Sequence, residues 1–248
     1  MLPGMIEKPV LGLFVTGTDT GVGKTRVAAA IARELVAAGR KVGVYKPAAS
    51  GCVRRGRELA SDDAVQLWEA AGRPLSLDAV CPQRFAAPLA PHLAARAERR
   101  EIDATLLRTG LAAWKDACEI VVVEGAGGLM SPLTDDEYVA DLAADFGYPL
   151  VVVAPNAIGV INQTLQTLIA AAVFRDGIEV AGIVLNRLRP ADGSDPSLAT
   201  NRAELERRAE PPVLAELGFN ATQLDRAVDW FAQARRPVET RKKMKNAK

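Results

Sequence analysis

Cysteine and histidine are scarce in this chain of 248 residues. It has three cysteines, Cys52, Cys81 and Cys118, and one histidine, His92. The cysteines lie far apart without C-x-x-C spacing, so the usual zinc sets of cysteine and histidine cannot be assembled. An odd and sparse set of cysteines also favours a reducing compartment over a disulfide framework.

Long apolar runs and an excess of one charge are missing as well. No stretch reaches the length of a membrane-spanning helix, and the first residues have no basic-then-apolar signal region. Lysine and arginine number 31 against 30 aspartates and glutamates, which gives a formal net charge of +1. Nothing in this balance favours nucleic acid or an anionic membrane as a partner. We therefore expect a soluble, cytoplasmic protein.

Short β-branched runs alternate with alanine- and leucine-rich stretches of helical periodicity. The runs "LGLFVTG", "KVGVYKP", "EIVVVEG", "PLVVVAP" and "VAGIVLN" are apolar throughout, which is typical of strands buried on both faces. Helices are predicted over 25–38, 63–71, 105–117, 137–146 and 158–175, with a further strand near Pro211 and a last helix over 221–234. This alternation predicts one doubly wound α/β domain, with a mostly parallel sheet and helices on both faces. We assign residues 1–235 to this domain and 236–248 to a basic, flexible tail.

The stretch "FVTGTDTGVGKT", residues 14–25, lies between the first strand and the first helix. It departs from the phosphate-loop pattern G-x-x-x-x-G-K-[ST] at one place, because Thr18 stands where the first glycine is required and Gly17 precedes it. Asp19 occupies the place of a signature lysine of the chromosome-partitioning ATPases. A carboxylate there repels phosphate unless a cation balances it, which speaks against that class.

The rest of this stretch has the chemistry of a phosphate-binding loop. Gly21 and Gly23 permit close approach of the backbone, so amides of the loop and of the helix start can point at phosphate oxygens. Lys24 would bridge the terminal phosphates and the Thr25 hydroxyl would bind Mg²⁺. The alternative is an ordinary corner between a strand and a helix. The loop context and the G-K-T triplet together favour a P-loop NTPase type of fold.

Polar residues also follow other predicted strands, where ligands of such sheets bind. Lys46 and Ser50, in "YKPAASG", could hold an anionic group beside the γ-phosphate; the alternative is a surface lysine before a turn. Asp62 and Asp63 begin a helix, and capping is the commonest role there. Glu124 ends an apolar strand before a glycine-rich turn, the usual position of an Mg²⁺ ligand beside a phosphate loop.

Asn186 and His92 have weaker signals. Asn186, at the end of "IVLNR", offers a donor and an acceptor that suit an adenine edge, although a strand-end asparagine often serves turn chemistry. His92, in "APLAPHLAA", is interpreted as packing or as lining of a substrate pocket rather than as catalytic.

Taken together, these segments resemble those of dethiobiotin synthetases. The matching stretches are "FVTGTDTGVGKT", "YKPAASG", "SDDA", "FAAPLAPHLAA", "EGAGGLMSPLTD", "IGVIN" and "VAGIVLN". Threonine in place of the first loop glycine is a variant found in this family. The resemblance implies an ATP- and Mg²⁺-dependent ligase that acts as a homodimer with active sites at the interface. Its substrates would be diaminopelargonic acid and CO₂, and the ureido ring would close through a carbamate and a carbamic–phosphoric anhydride.

The resemblance also implies roles for particular residues. Catalytic roles fall to Lys46, Lys24, Thr20 and Ser50, and Mg²⁺ binding to Thr25, Asp63 and Glu124. The nucleotide would be bound by Gly21, Val22, Gly23, Lys24, Thr25, Arg26, Asp63, Glu124, Gly125, Ala126, Gly127, Asn186, Arg187, Glu216, Leu217 and Gly218. The substrate would contact Thr20, Lys46, Ser50, Gly159, Val160, Ile161 and Asn162, the last four at a helix start that receives the distal carboxylate across the dimer interface.

Two departures from the family pattern stand out. Gln163 stands where a histidine is common, and the adenine loop has Ala215 and Gly218 in place of the usual glycine and proline. The second departure leaves nucleotide preference open. Three alternatives remain: a switch ATPase of the partitioning type, an amide-forming synthetase of the cobyrinic acid type, and an inactive homologue. Asp19 opposes the first and the chain length opposes the second.

Overall fold

The computed structural model describes residues 11–56, 58–191, 193 and 195–235, so the predicted basic tail lies outside the described residues. Ten strands are present there: β1 Leu11–Gly17, β2 Val42–Tyr45, β3 Ala48–Ala49, β4 Val53–Arg55, β5 Glu58–Ala60, β6 Gln83–Arg84, β7 Ile120–Gly128, β8 Leu150–Pro155, β9 Val180–Asn186 and β10 Val213–Leu217. Six of them form one sheet in the order β10-β9-β8-β1-β7-β2. All neighbours in this sheet are parallel. The predicted doubly wound sheet is confirmed.

The described helices are α1 Lys24–Ala37, α2 Asp62–Ala70, α3 Leu77–Val80, α4 Pro91–Ala97, α5 Ala104–Thr109, α6 Val139–Phe146, α7 Val160–Val173, α8 Asn201–Arg208 and α9 Trp230–Ala234. Local sequence accounts for several of their ends. Ser61 and Asp103 accept hydrogen bonds from first-turn amides of α2 and α5, and Gly147 ends α6 in the left-handed conformation. No helix in the described ranges has the length and apolar character needed to span a membrane.

Two predicted helices differ from the structure. The helix predicted over 105–117 ends at Thr109 and continues as a 3₁₀ helix, Gly110–Trp114. The helix predicted over 221–234 is wrong for its first part, because α9 begins at Trp230. The Asp225 carboxylate accepts a hydrogen bond from the Glu216 amide at 2.7 Å, and Asp229 caps α9. Such bonds between side chains and backbone compete with helix formation.

Smaller elements follow β2 and were not predicted. Strands β3 and β6 form a parallel pair, and β4 and β5 form an antiparallel hairpin. These elements, with α2 to α4, lie in the chain between β2 and α5. Strands β3 to β6 are only two or three residues long, which is too short for a hydrophobic pattern to indicate them.

The core lies on both faces of the large sheet. The buried rings of Phe14, Tyr45 and Phe146 pack together, with centroids of Phe14 and Tyr45 each 6.3 Å from that of Phe146. Register places the strand ends at one level: Tyr45 pairs with Val123, and Asn186 pairs with both Pro155 and Leu217. The polar residues that follow these strands therefore meet at one edge of the sheet.

Candidate active site

Loop 18–23 joins β1 to α1 at this edge. Gly21 and Gly23 have φ angles of 76° and 86°, in the region that favours glycine. Gly23 is the N-cap of α1, and no side chain caps this helix start. The amides of the first turn are therefore left for a ligand, and the helix dipole favours an anionic one.

Gly23 is also required by a close approach of Asn186. A Cβ atom at Gly23 would clash with the side-chain amide nitrogen of Asn186. That nitrogen donates a hydrogen bond to the Val22 carbonyl at 2.8 Å. The end of β9 therefore holds the phosphate loop in shape through one buried amide.

A buried cluster of charges faces the loop. Because Tyr45 pairs with Val123, the next residues, Lys46 and Glu124, lie side by side. The Lys46 ammonium is 2.6 Å from Oε1 of Glu124 and 2.7 Å from Oδ2 of Asp63. The same Glu124 oxygen accepts a hydrogen bond from the Thr25 hydroxyl at 2.9 Å.

Lys46 and Asp63 favour each other's charged form despite burial. Burial acts to lower the pKa of Lys46, but Glu124 and Asp63 together raise it above its ordinary value. Burial also acts to raise the pKa of Asp63, and Lys46 holds it below its ordinary value. The result is a buried cation between two carboxylates, Glu124, which is buried, and Asp63, which is half-exposed.

Lys24, the first residue of α1, directly follows the loop. Its ammonium donates to the backbone carbonyl of Asp19 at 3.1 Å, while the Asp19 carboxylate accepts from the Thr20 amide at 2.6 Å. Burial lowers the pKa of Lys24, and the nearby charge of Lys46 lowers it further. Two cations are thus close enough to interact, and of these Lys46 is paired with Glu124 and Asp63.

The loop and the charge cluster line one cavity of about 400 Å³. Its lining is Thr20, Gly21, Gly23, Lys24, Thr25, Arg26, Lys46, Ala48, Ala49, Ser50, Asp63, Gln66, Glu124, Gly125, Ala126 and Gly127. The structure therefore brings together the sequence-predicted residues of the phosphate and metal side. Gln66 was missed, although it lies one turn after Asp63 on α2 and that spacing could have found it.

The donors in this cavity fit Mg²⁺. The second oxygen of Glu124 is buried without a hydrogen-bond partner, and the Thr25 hydroxyl and the Asp63 carboxylate are adjacent. Carboxylate and hydroxyl oxygens are ligands that Mg²⁺ accepts, and it usually completes its shell with water and phosphate. Among the described residues, no group of three or more histidines, cysteines, aspartates or glutamates could hold a metal alone.

Other predicted site residues lie outside this cavity. Asn186 and Glu216 bond within the protein: the Glu216 carboxylate accepts from Arg187 at 2.7 Å and from Asn156 at 3.1 Å. Leu217 is buried in β10, and Gly218 follows it. His92, at the start of α4, has a buried Nδ1 atom without a hydrogen-bond partner. The predicted carboxylate-binding segment, Gly159, Val160, Ile161 and Asn162, forms the start of α7, with Gly159 at a φ of 90°.

The sheet order, the loop and its neighbouring carboxylate define a P-loop NTPase type of protein. A family model described as an AAA domain matches residues 11–226. The signal recognition particle receptor FtsY from Elizabethkingia anophelis is 18% identical with a TM-score of 0.51. That match covers 92% of this chain and 66% of the receptor, and at this identity it shows the fold alone.

Relatives found by sequence identify the family, whereas the structural neighbour shows only the fold. The ATP-dependent dethiobiotin synthetase BioD of Anaeromyxobacter dehalogenans is 49% identical over 206 residues, which cover 83% of this chain and 89% of the relative. The enzyme of the same name from Rhodopirellula baltica is 44% identical over 215 residues, 82% of each chain. That from Aeromonas hydrophila is 39% identical and covers 85% of this chain and 91% of the relative. The chain belongs to the ATP-dependent dethiobiotin synthetase family.

Proposed function

We propose that this protein closes the ureido ring of dethiobiotin from diaminopelargonic acid and CO₂, with conversion of ATP to ADP and phosphate. The observation that carries the proposal is the position of Lys46. Its ammonium is buried between two carboxylates and lines the same cavity as the phosphate loop. A binding switch has no need for such a cation beside the terminal phosphate, whereas an enzyme that phosphorylates an anionic carbamate does.

The phosphate loop would hold the triphosphate of ATP. The uncapped amides at the start of α1 and the Lys24 ammonium supply donors and positive charge. Thr25, Asp63 and Glu124 would hold Mg²⁺, which supplies charge neutralisation for the phosphoryl group when bound. The unpartnered oxygen of Glu124 supports this assignment.

The reaction would proceed in three balanced steps. One substrate amine attacks CO₂, a C–N bond forms and a proton leaves, which gives a carbamate. A carbamate oxygen attacks the γ-phosphorus and the bond to ADP breaks, which gives a carbamic–phosphoric anhydride. The second amine attacks the anhydride carbonyl carbon, the ring closes, and phosphate departs with loss of a proton.

Four residues would assist these steps. Lys24, Lys46 and Ser50 would bind the carbamate and offset the charge that develops on the transferring phosphoryl group. Thr20, on the exposed part of the loop, would lie beside the substrate amines. All four line the cavity, which supports their joint action.

We also propose a homodimer that contacts through α7. Asn162, Gln166, Ile169 and Val173 follow one another at helical spacing and are exposed, with Ile169 at 63% and Val173 at 71%. The last two are apolar, and an exposed apolar patch on a helix suits burial against a second copy. The start of α7, after Gly159, would then receive the substrate carboxylate from the partner's site.

Incorporation of labelled bicarbonate tests the proposal. Protein with MgATP, diaminopelargonic acid and ¹³C-bicarbonate should yield a ring-closed product that carries the label, as measured by mass spectrometry. Removal of Mg²⁺ with a chelator should stop product formation, and added Mg²⁺ should restore it. Absence of labelled product while ATP binds normally would refute the proposed reaction.

A further inference from the structure

The order of the sheet divides the nucleotide site into two halves. Strands β7 and β2 lie on one side of β1. Strand β7 contains Glu124, which is assigned to Mg²⁺, and β2 is followed by Lys46, which is assigned to the transferring phosphoryl group. Strands β8, β9 and β10 lie on the other side of β1. Because a triphosphate is an extended chain, a nucleotide with its γ-phosphate near β7 must direct its nucleoside toward the ends of β9 and β10.

Arg26, in the first turn of α1, reaches into this second half. Its terminal nitrogens donate four hydrogen bonds: NH1 to the Asn186 side-chain oxygen at 3.1 Å and to the Arg187 carbonyl at 3.2 Å, and NH2 to the carbonyls of Gly218 at 3.0 Å and Ala221 at 3.2 Å. A planar guanidinium can make such a fork, whereas the point charge of lysine cannot. The Arg26 guanidinium therefore contacts the ends of β9 and β10 and the loops that follow them.

Two of the residues whose carbonyls bond Arg26, Arg187 and Gly218, are each followed by an exposed apolar residue. Leu188 directly follows Arg187 and is 41% exposed; Phe219 directly follows Gly218 and is 40% exposed. Leu188 also lies beside the phosphate loop, since its Cδ2 atom would be 3.5 Å from a Cβ at Gly23. Exposed leucine and phenylalanine side chains just after β9 and β10 suit the flat faces of a nucleobase.

The geometry points to Arg26 as a positioning residue that sets base specificity. By fixing the carbonyls after β9 and β10, Arg26 fixes Leu188 and Phe219 as walls of a nucleobase cleft, and it does not bind phosphate. This inference rests on the proposed function, because it assumes a nucleoside triphosphate on the loop. It gives Arg26 a role other than the direct nucleotide contact that the resemblance implies, and it gives the adenine loop a support in place of the usual proline.

Binding calorimetry with full nucleotides and with a ligand that lacks a base can tell whether Arg26 positions the base cleft or binds phosphate. The probes are ATP, GTP, CTP and inorganic tripolyphosphate, each with Mg²⁺, and the proteins are wild type, Arg26→Lys, Arg26→Gln and the control Arg226→Gln. Arg226 lies in the same loop region and is exposed. Loss of several hydrogen bonds predicts that both Arg26 variants lose ATP affinity by about tenfold or more. The ratios of affinity between ATP and the other nucleotides should fall toward one, while tripolyphosphate binds as in wild type.

Each other outcome has a distinct meaning. An equal loss of tripolyphosphate affinity in Arg26→Gln, restored in Arg26→Lys, would assign Arg26 to the phosphates and overturn the inference. Unchanged ratios between nucleotides would also overturn it. Failure of the wild type to bind any nucleotide would refute the proposed function instead, and the inference with it.

A second variant protects the test against misfolding of the Arg26 proteins. Phe219→Ser removes one wall without touching the guanidinium. We expect it to weaken ATP binding by about tenfold and to leave tripolyphosphate binding and the thermal unfolding midpoint unchanged. Wild-type affinity for ATP in this variant would exclude Phe219 from the cleft and overturn the inference.

Discussion

At the scale of single residues, Lys46 carries a charge that the interior tolerates only because two carboxylates surround it. Glu124 is 1% exposed, so it relies on Lys46 and Thr25 for compensation of its own charge. The same arrangement holds the ammonium still in the cavity. Stability and catalysis therefore both depend on this lysine, and they can be separated by experiment.

Lys46→Gln should slow product formation strongly and leave ATP binding in place. Removal of a positioned donor from a site of developing negative charge predicts a fall in kcat of about 10²–10³-fold. Steady-state product formation and ATP calorimetry measure the two effects. Lys41→Gln is the matched control, because Lys41 is an exposed lysine just before β2. Turnover at the wild-type rate in Lys46→Gln would remove Lys46 from the mechanism.

Loss of the buried cation should also lower stability. Breaking a buried ion pair costs about 3–5 kcal/mol because it leaves one charge unpaired. The double variant Lys46→Gln, Glu124→Gln should recover most of this loss, since the buried Glu124 charge is then gone and the remaining carboxylate, Asp63, is half-exposed. Urea unfolding of the single and double variants measures the recovery, and equal stability of the two would contradict the assigned pairing.

Sequence alone predicted the residues on the phosphate side. Lys24, Thr25, Lys46 and Glu124 each directly follow or end an apolar strand or begin a helix, so their positions follow from pattern. The partners of Arg26 could not be predicted in this way. They lie 160 to 195 positions away in the chain, and three of the four are backbone carbonyls, which carry no side-chain signature.

At the scale of elements, the phosphate loop combines backbone conformation with close packing. Gly23 has a positive φ and also lies against Asn186. A pattern identifies the glycine, but only the folded chain reveals which strand end approaches it. The two requirements can be tested separately, because Gly39 has a positive φ but no neighbouring atom close to it.

Gly23→Ala should weaken ATP binding by more than tenfold, because the new methyl group displaces Asn186 and breaks its bond to Val22. Gly39→Ala is the matched control: Gly39 has a φ of 77° and no atom within 4 Å of the new Cβ. The control should lose about 1–2 kcal/mol of stability from backbone strain and bind ATP normally. Normal ATP affinity in Gly23→Ala would show that the contact with Asn186 does not shape the loop.

Helix α9 packs its Trp230 against α1, where the indole donates to Glu34 at 2.7 Å. Burial raises the pKa of Glu34 above its ordinary 4.5, despite the bonds from Trp230 and from the backbone of Leu224. A raised folded pKa costs stability once the unfolded chain ionises and the folded one does not. This loss of stability is absent below pH 4.5 and is complete at a pH above the pKa of Glu34 in the folded protein.

Glu34→Gln keeps the acceptor for Trp230 and removes this cost. Its free energy of unfolding should match that of wild type below pH 4.5 and exceed it as pH rises through the raised pKa. Urea unfolding on both sides of that pH measures the difference. A difference that is constant with pH, or that shrinks as pH rises, would contradict the assigned ionisation.

The last helix shows the limit of element prediction. An apolar pattern over 221–234 predicted one helix, but carboxylates of Asp225 and Asp229 bond backbone amides and leave 221–229 irregular. Hydrophobic spacing does not report such competition. By contrast, the strands of the large sheet were predicted because they are buried on both faces and therefore apolar along their length.

At the scale of the whole molecule, the exposed stripe on α7 predicts a dimer. Ile169→Glu and Val173→Glu place charges in the proposed interface, where an unpaired charge is costly. Sedimentation should show a dimer for wild type and for the exposed control Leu75→Glu, and a monomer for the double variant. The monomer should also lose affinity for the substrate more than for ATP. A wild-type monomer at all concentrations would contradict the interface.

The buried Lys46 beside the phosphate loop should serve an ATP-dependent ring closure. The most direct measurement is release of phosphate from MgATP with diaminopelargonic acid and bicarbonate, omitting each in turn. We predict release only when both are present, with ring-closed product in equal amount. Release that is independent of either would contradict the account and indicate a nucleotide switch instead.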